Sequence, residues 1–324
     1  MVDPTALVRA VDLEKRFPIG RSLFRRKPRA WLRAVDGVSL QVDAGSTLGL
    51  VGESGCGKST LGRLLIRLLD PTGGRILMDE LDVTHLKGKD LRPLRRRFQM
   101  VFQDPLGSLD PRVKIKDSVS EPLLISGLGK RRERYEKARE MMEIVGLSAD
   151  GLERYPHEFS GGQRQRICIA RSLTLRPDFI VADEPVSALD VSVRAQIINL
   201  FQDIQQQFGL AYLFISHDLG VVQHIADQVA VMYLGRIVEQ GKAREVLKQP
   251  LHPYSKALVA AVPPARPRSA RVKAVIEGDL PSPLDTPQGC PFHTRCPIAV
   301  PRCRSERPEL RDVGSSRIVA CHLV

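Results

Sequence analysis

No apolar run in the chain approaches the ~18 residues that a membrane-spanning helix needs. The longest candidates, such as residues 210–215, are strand-sized. The start, Met1-Val2-Asp3-Pro4, does not read as a secretory signal, so an intracellular chain is expected. Acidic residues are in deficit: 37 against 49 basic ones, a formal net charge of +12. The basic clusters at residues 21–33 and 92–97 lack the interleaved aromatics of a base-stacking surface. The charge therefore leaves an anionic membrane, nucleic acid and a plain solvated surface open. Cysteine is scarce and uneven. Cys56 and Cys168 stand alone, whereas Cys290, Cys296, Cys303 and Cys321 crowd the end of the chain. Inside a cell such a cluster points to metal before disulfides.

At 324 residues, 43% of them hydrophobic, the chain exceeds one typical core, and two or three globular units are expected. It is organised around residues 52–59, Gly-Glu-Ser-Gly-Cys-Gly-Lys-Ser, which fit the spacing G-x-x-x-x-G-K-[ST]. A short apolar strand, residues 47–51, precedes this loop, and a helix-like segment, residues 60–69, follows it. Gly52, Gly55 and Gly57 let the backbone turn tightly, so that consecutive N–H groups face one anion. The helix start adds about half a positive charge. Lys58 can reach the outer phosphates of a nucleotide, and the Ser59 hydroxyl can ligate Mg²⁺.

Upstream, residues 8–14 and 38–42 alternate like strands, and Phe17 is a candidate either for stacking on a base or for the core. Residues 105–156 are helical in pattern, most clearly over 133–145. They read as an insert ending at Phe159-Ser160-Gly161-Gly162-Gln163, where Ser160 caps a helix and the glycines expose N–H groups. Residues 179–185 form an apolar strand ending in two acids. Beside a phosphate loop, Asp183 is placed to hold Mg²⁺ and Glu184 to polarise the attacking water. Residues 211–216 form another strand, closed by His217, and residues 229–233 and 236–240 read as a hairpin about Leu234-Gly235. The repeated strand–helix order predicts an α/β sheet with helices packed on it. Beyond Gln249 come a short helix after His252-Pro253-Tyr254, a Pro/Arg-rich linker at residues 263–268, and a tail too aperiodic to build much core by itself. A metal would supply the missing stabilisation.

Together and in this order, the motifs resemble an ATP-binding-cassette ATPase, from about Val8 to the C-terminus. The resemblance implies an α/β P-loop NTPase fold, an ABC-type nucleotide-binding domain with a helical insert and a small Cys-rich extension. Residues 1–104 and 167–249 would form the ATP-binding core, 105–166 the helical subdomain and 250–324 the extension. Gly52–Ser59 looks like the Walker A loop, so Ser54, Cys56 and Thr60 join the expected nucleotide-binding residues. Gln103 resembles the Q-loop glutamine that links Mg²⁺ to the transmembrane partner, and Ser160–Gln163 the signature, with Phe159 in place of the commoner leucine. Asp183 and Glu184 match Walker B and the catalytic glutamate, residues 187–190 the D-loop, His217 the switch histidine, and Phe17 the adenine-stacking aromatic. The implied catalytic set is Glu184, His217, Lys58 and Gln103, with Mg²⁺ on Ser59, Gln103 and Asp183. In this family ATP on one Walker A is covered by the signature of a second cassette.

Residues 103–111 (Gln-Asp-Pro-Leu-Gly-Ser-Leu-Asp-Pro), His252-Pro253-Tyr254 and the tail run 289–297 further resemble the oligopeptide/dipeptide importer ATPases. That implies ATP-driven peptide import at the cytoplasmic face of the inner membrane. The implied partners are a second, paralogous cassette, two transmembrane permease subunits and an extracytoplasmic peptide-binding protein, with no direct nucleic-acid contact. Nickel or another small solute is the alternative cargo, and a soluble nucleic-acid or ribosome-associated cassette the rival class. The spacing C-x5-C-x6-C-x17-C leaves zinc and iron–sulfur open, with His293 and His322 as further zinc ligands. The resemblance favours a [4Fe–4S] cluster on Cys290, Cys296, Cys303 and Cys321.

Overall fold

The computed structural model describes residues 6–20, 30–262, 281–282 and 284–324. Most of the basic stretch at 21–33, and the linker at 263–268, lie outside the described residues.

Two sheets carry the described chain. A smaller one has the order β2-β1-β4-β5, with β1 (Ala6–Ile19), β2 (Ala30–Asp43), β4 (Gly73–Met78) and β5 (Leu81–Asp82) all antiparallel. The larger has the order β11-β12-β10-β9-β3-β8-β7-β6. Its parallel half is β9 (Gln228–Tyr233), β3 (Thr47–Val51), β8 (Ala211–Ile215), β7 (Phe179–Asp183) and β6 (Phe98–Val101). Every residue of β3, β7 and β8 is buried, as expected for parallel strands covered on both faces. β9 turns at Leu234 and Gly235, both at positive φ, into antiparallel β10 (Arg236–Lys242).

Helix α1 (Lys58–Leu65) lies directly on this sheet: a Cβ on Gly62 would stand 2.7 Å from Val181 Cγ1 and 3.0 Å from Ile215 Cδ1. It starts earlier than its sequence pattern suggests and stops short of residue 69, because Arg67 turns to φ +56° and spends its guanidinium on Val83 O and Leu86 O. After α2 (Gly88–Arg97), the helical segment comprises α3 (Pro105–Ser108), α4 (Ile115–Ile125), α5 (Arg131–Ile144) and α6 (Gly161–Leu173). These pack with α7 (Val191–Phe208) on the β6–β7–β8 side in one apolar cluster around Met141, Ile167, Ile197 and Phe201. Helices α8 (Leu219–Ile225), α9 (Ala243–Lys248) and α10 (Pro253–Ala261) follow β8, β10 and the His252 cap.

Although the tail has too little pattern to build much core by itself, Phe292, Cys290, Cys303 and Val319 are buried. After α11 (Pro301–Ser305), β11 (Arg311–Asp312) and β12 (Ile318–Val319) continue the large sheet beyond β10. The tail borrows a core rather than building one. Phe292 meets the rings of Tyr233 and Tyr254 at 5.3 and 5.4 Å, and Arg317 Nε donates to the fully buried Glu239 at 3.0 Å. Glu239 also accepts from the N–H groups of Leu251 and His252, so its charge is matched on several sides.

Candidate functional site

The loop between β3 and α1 requires its glycines. Gly52 has φ +154°, and a Cβ there would stand 2.2 Å from Met232 O. Gly57 has φ +107°, with a Cβ position 2.1 Å from Ala34 O. Ser54 and Gly55 form the exposed crest. The Cys56 thiol is buried in the core, which raises its pKa, so Cys56 offers an anion only its backbone. Lys58 lies buried along the loop, and its Nζ donates to Gly52 O and Glu53 O, each at 2.8 Å. Ser59 and Thr60 stand half-buried in the first turn of α1.

Across the β3–β8–β7 edge, Ser59 Oγ donates to Asp183 Oδ1 at 2.8 Å. Burial raises the pKa of the Asp183 carboxyl; the Ser59 hydrogen bond and the Arg63 charge counter it. Ser59, Gln103 and Asp183 line one cavity of about 530 Å³, together with Arg63 and Arg171. This hydroxyl, carboxylate and amide set consists of hard oxygen donors, the chemistry that suits Mg²⁺. Arg63 and Arg171 were not singled out in the sequence. Arg63 is one helical turn beyond Ser59, a spacing that could have found it.

Glu184 adopts φ +47°, and its N–H donates to Ile215 O at 3.0 Å. Its Oε2 accepts from Gln103 Nε2 at 3.3 Å and meets His217 Nδ1 at 3.2 Å. Two side chains from the ends of the neighbouring strands β6 and β8 are thus gathered on one carboxylate oxygen at the end of β7. Holding a glutamate in the left-handed region costs about 1–3 kcal/mol and persists only where the surroundings dictate it.

Ser160 caps α6 in a reciprocal box with Gln163: Ser160 N donates to Gln163 Oε1 at 2.9 Å, and Gln163 N to Ser160 Oγ at 3.3 Å. Gly161 is exposed, and Gly162 faces Val193 so closely that a Cβ would stand 2.4 Å from Cγ1. Phe159 is core. Phe17 lies on β1, half-buried and not in the core, with Lys15 Nζ 5.1 Å from its ring centre.

Residues 35–187 match the family model described as ABC transporter, and residues 238–303 that of the oligopeptide/dipeptide transporter C-terminal region. The chain is 53% identical over 315 residues to the oligopeptide transport ATP-binding protein AppF of Bacillus subtilis, covering 96% of this chain and 95% of that one. The chain belongs to the ABC transporter family. Its likeness to the dipeptide transport ATP-binding protein DppF of Escherichia coli is 50% over 318 residues, 98% of this cassette and 94% of that protein. Among solved structures, a dimeric post-hydrolysis state of the ATP-binding cassette MJ0796 bound to ADP and Pi superposes with a TM-score of 0.64. That match is at 26% identity and covers 73% of this cassette and 99% of that chain. Among the described residues of this cassette, no helix is long and apolar enough to cross a membrane.

The expected tail ligands, Cys290, Cys296, Cys303 and Cys321, do not meet as a ready-made metal site. Among the described residues, no three His, Cys, Asp or Glu side chains converge closely enough to hold a metal ion. The Cys290, Cys296, Cys303 and Cys321 thiols are free. They do share one neighbourhood: burial pushes Cys290 up to about 11, and the other three thiols add to that shift. His293 instead turns its Nδ1 to Cys290 O at 2.9 Å, and His322 its Nε2 to Glu306 O at 3.0 Å.

Proposed function

We propose that this cassette binds ATP at residues 52–60, hydrolyses it with Glu184 as general base, and thereby energises import of di- or oligopeptides. The observation that carries the chemistry is the convergence of Gln103 and His217 on Glu184 Oε2, beside the Ser59–Asp183 pair. Backbone N–H groups and Lys58 bind the phosphates, with Phe17 stacking on the base. Ser59 and Asp183 would hold Mg²⁺, with Gln103 at the rim; when bound, the ion neutralises charge between the outer phosphates. Glu184 takes the proton of the attacking water, and His217 and Gln103 fix its carboxylate.

Peptide cargo is supported by the oligopeptide/dipeptide match over residues 238–303 and by relatives named for peptide transport. Ser160–Gln163 serve the nucleotide of a second, paralogous cassette. Its support is the capped, exposed start of α6 together with the dimeric state of a structural relative. Closure of the pair then completes each site. Residues 105–166 pass this motion to two permease subunits at the inner face of the membrane, which receive peptide from an extracytoplasmic binding protein. In the test, this chain is tagged and purified from native membranes, reconstituted in vesicles and assayed for ATP-dependent uptake of a labelled dipeptide. Co-purifying membrane proteins and peptide uptake are the expected result. Uptake of nickel alone would reassign the cargo, and recovery with ribosomes would overturn the transporter reading.

We further propose that the four tail thiols hold a [4Fe–4S] cluster. Four thiols sharing one neighbourhood support this. Anaerobically purified protein is expected to carry about four irons per chain, lost on Cys303→Ser. One zinc and no iron would make the tail a zinc module, and no metal would leave four ordinary thiols.

A further inference from the structure

Glu53, second in the phosphate loop, has no assigned role, yet each of its polar groups is engaged. Its N–H donates to Tyr254 Oη at 2.8 Å, and its carbonyl accepts from Lys58 Nζ at 2.8 Å. Its carboxylate accepts from Arg295 Nη1 at 3.1 and 3.0 Å. Two of these three partners come from beyond the ATPase core: Tyr254 lies in the first turn of α10, and Arg295 lies in the tail immediately before Cys296, 242 residues from Glu53. Both are buried, Tyr254 fully and the Arg295 side chain to 8% exposure. The Arg295 guanidinium stands over the Tyr233 ring at 6.0 Å, and Tyr233 packs on Tyr254 at 4.7 Å. The arginine is thus held on an aromatic floor and aimed at one residue of the loop.

A phosphate loop works by holding N–H groups where the anion will be, so that no reorganisation is needed on binding. Glu53 precedes those donors and accepts from the lysine that must reach the outer phosphates. Fixing Glu53 fixes the entry to the loop and the resting place of Lys58. We propose that Arg295, with Tyr254, is a positioning residue for ATP: the C-terminal extension braces the phosphate loop through Glu53 and so sets nucleotide affinity. The inference rests on residues 52–60 being the ATP site.

The test is calorimetric titration of the full-length chain with ATP, which reads affinity and binding-competent fraction separately. The wild type must bind; if it does not, the reading of the site fails before the brace is tested. Arg295→Ala is expected to weaken ATP about tenfold, as for a misplaced positioning contact, at unchanged stoichiometry. Arg295→Lys, which keeps the charge but not the fork, should recover part of the loss. Glu53→Gln, isosteric and with its backbone groups intact, should weaken ATP similarly, and adding Arg295→Ala to it should cost little more. Should Arg295→Ala fail to fold, Glu53→Gln alone still decides the matter. Wild-type affinity in Glu53→Gln, a loss of stoichiometry at wild-type affinity in Arg295→Ala, or equal and additive losses in the double variant would each overturn the proposal.

Discussion

Glu184→Gln is expected to leave ATP affinity within about twofold of wild type and to slow hydrolysis by roughly 10³-fold, the middle of the range for removing a general base. The substitution keeps the shape and one carbonyl oxygen. It can therefore keep the contacts now made by Oε2 with Gln103 at 3.3 Å and His217 at 3.2 Å. The backbone of residue 184 is tied independently by its bond to Ile215 O, so the φ of +47° has no reason to relax. What is lost is the basic oxygen that takes the proton of water. No hydrogen bond in the Lys58–Ser59–Asp183 arrangement involves it, which is why binding and turnover should separate. Phosphate release and ATP titration on the same preparation check this. Turnover near the wild-type rate would remove Glu184 from the role of base, whereas loss of binding would make it part of the nucleotide cradle.

The parallel half of the large sheet was readable in the sequence because short, fully buried strands are plain apolar runs. Residues 47–51 are bounded in the structure as the sequence suggests, whereas the strand read at 179–185 ends at Asp183, where Glu184 turns to positive φ. The Gln103–Glu184–His217 grouping was also legible, but only as a set of motifs at strand ends. The distances come from adjacency of β3, β8, β7 and β6 in the sheet. The left-handed backbone of Glu184 left no trace in the sequence, since glutamate gives no sign of it, unlike Gly235 in its hairpin. The tail was the least legible part, for a physical reason. Its strands are two residues each, too short for any period, and they are ordered by β10 rather than by their own pattern. The Arg295–Glu53 pair depends on contacts between distant parts of the chain, so neither residue type announces it.

Lys58→Ala is expected to weaken ATP by about 10²–10³-fold, or roughly 3–4 kcal/mol, within the range for truncating one partner of a buried charged contact. The ammonium rests on Gly52 O and Glu53 O, each at 2.8 Å, with Lys58 5% exposed. These carbonyls hold the charge at the loop without neutralising it. The exchange on binding is therefore of neutral acceptors for phosphate oxygens, which form the stronger, charge-assisted bonds. Alanine removes both the charge and the donor that satisfies the two carbonyls, so the loop itself loosens as affinity falls. Lys58→Arg separates these effects. It keeps the charge, but its rigid fork is bulkier than the slender stem that lies between the loop and the core. If charge alone mattered, arginine would restore affinity. The buried path of the side chain predicts that it does not, and that Lys58→Arg binds ATP at least tenfold more weakly than wild type. Titration of both variants with ATP and Mg²⁺ measures this, and wild-type affinity in Lys58→Ala would move the phosphate site away from residues 52–60.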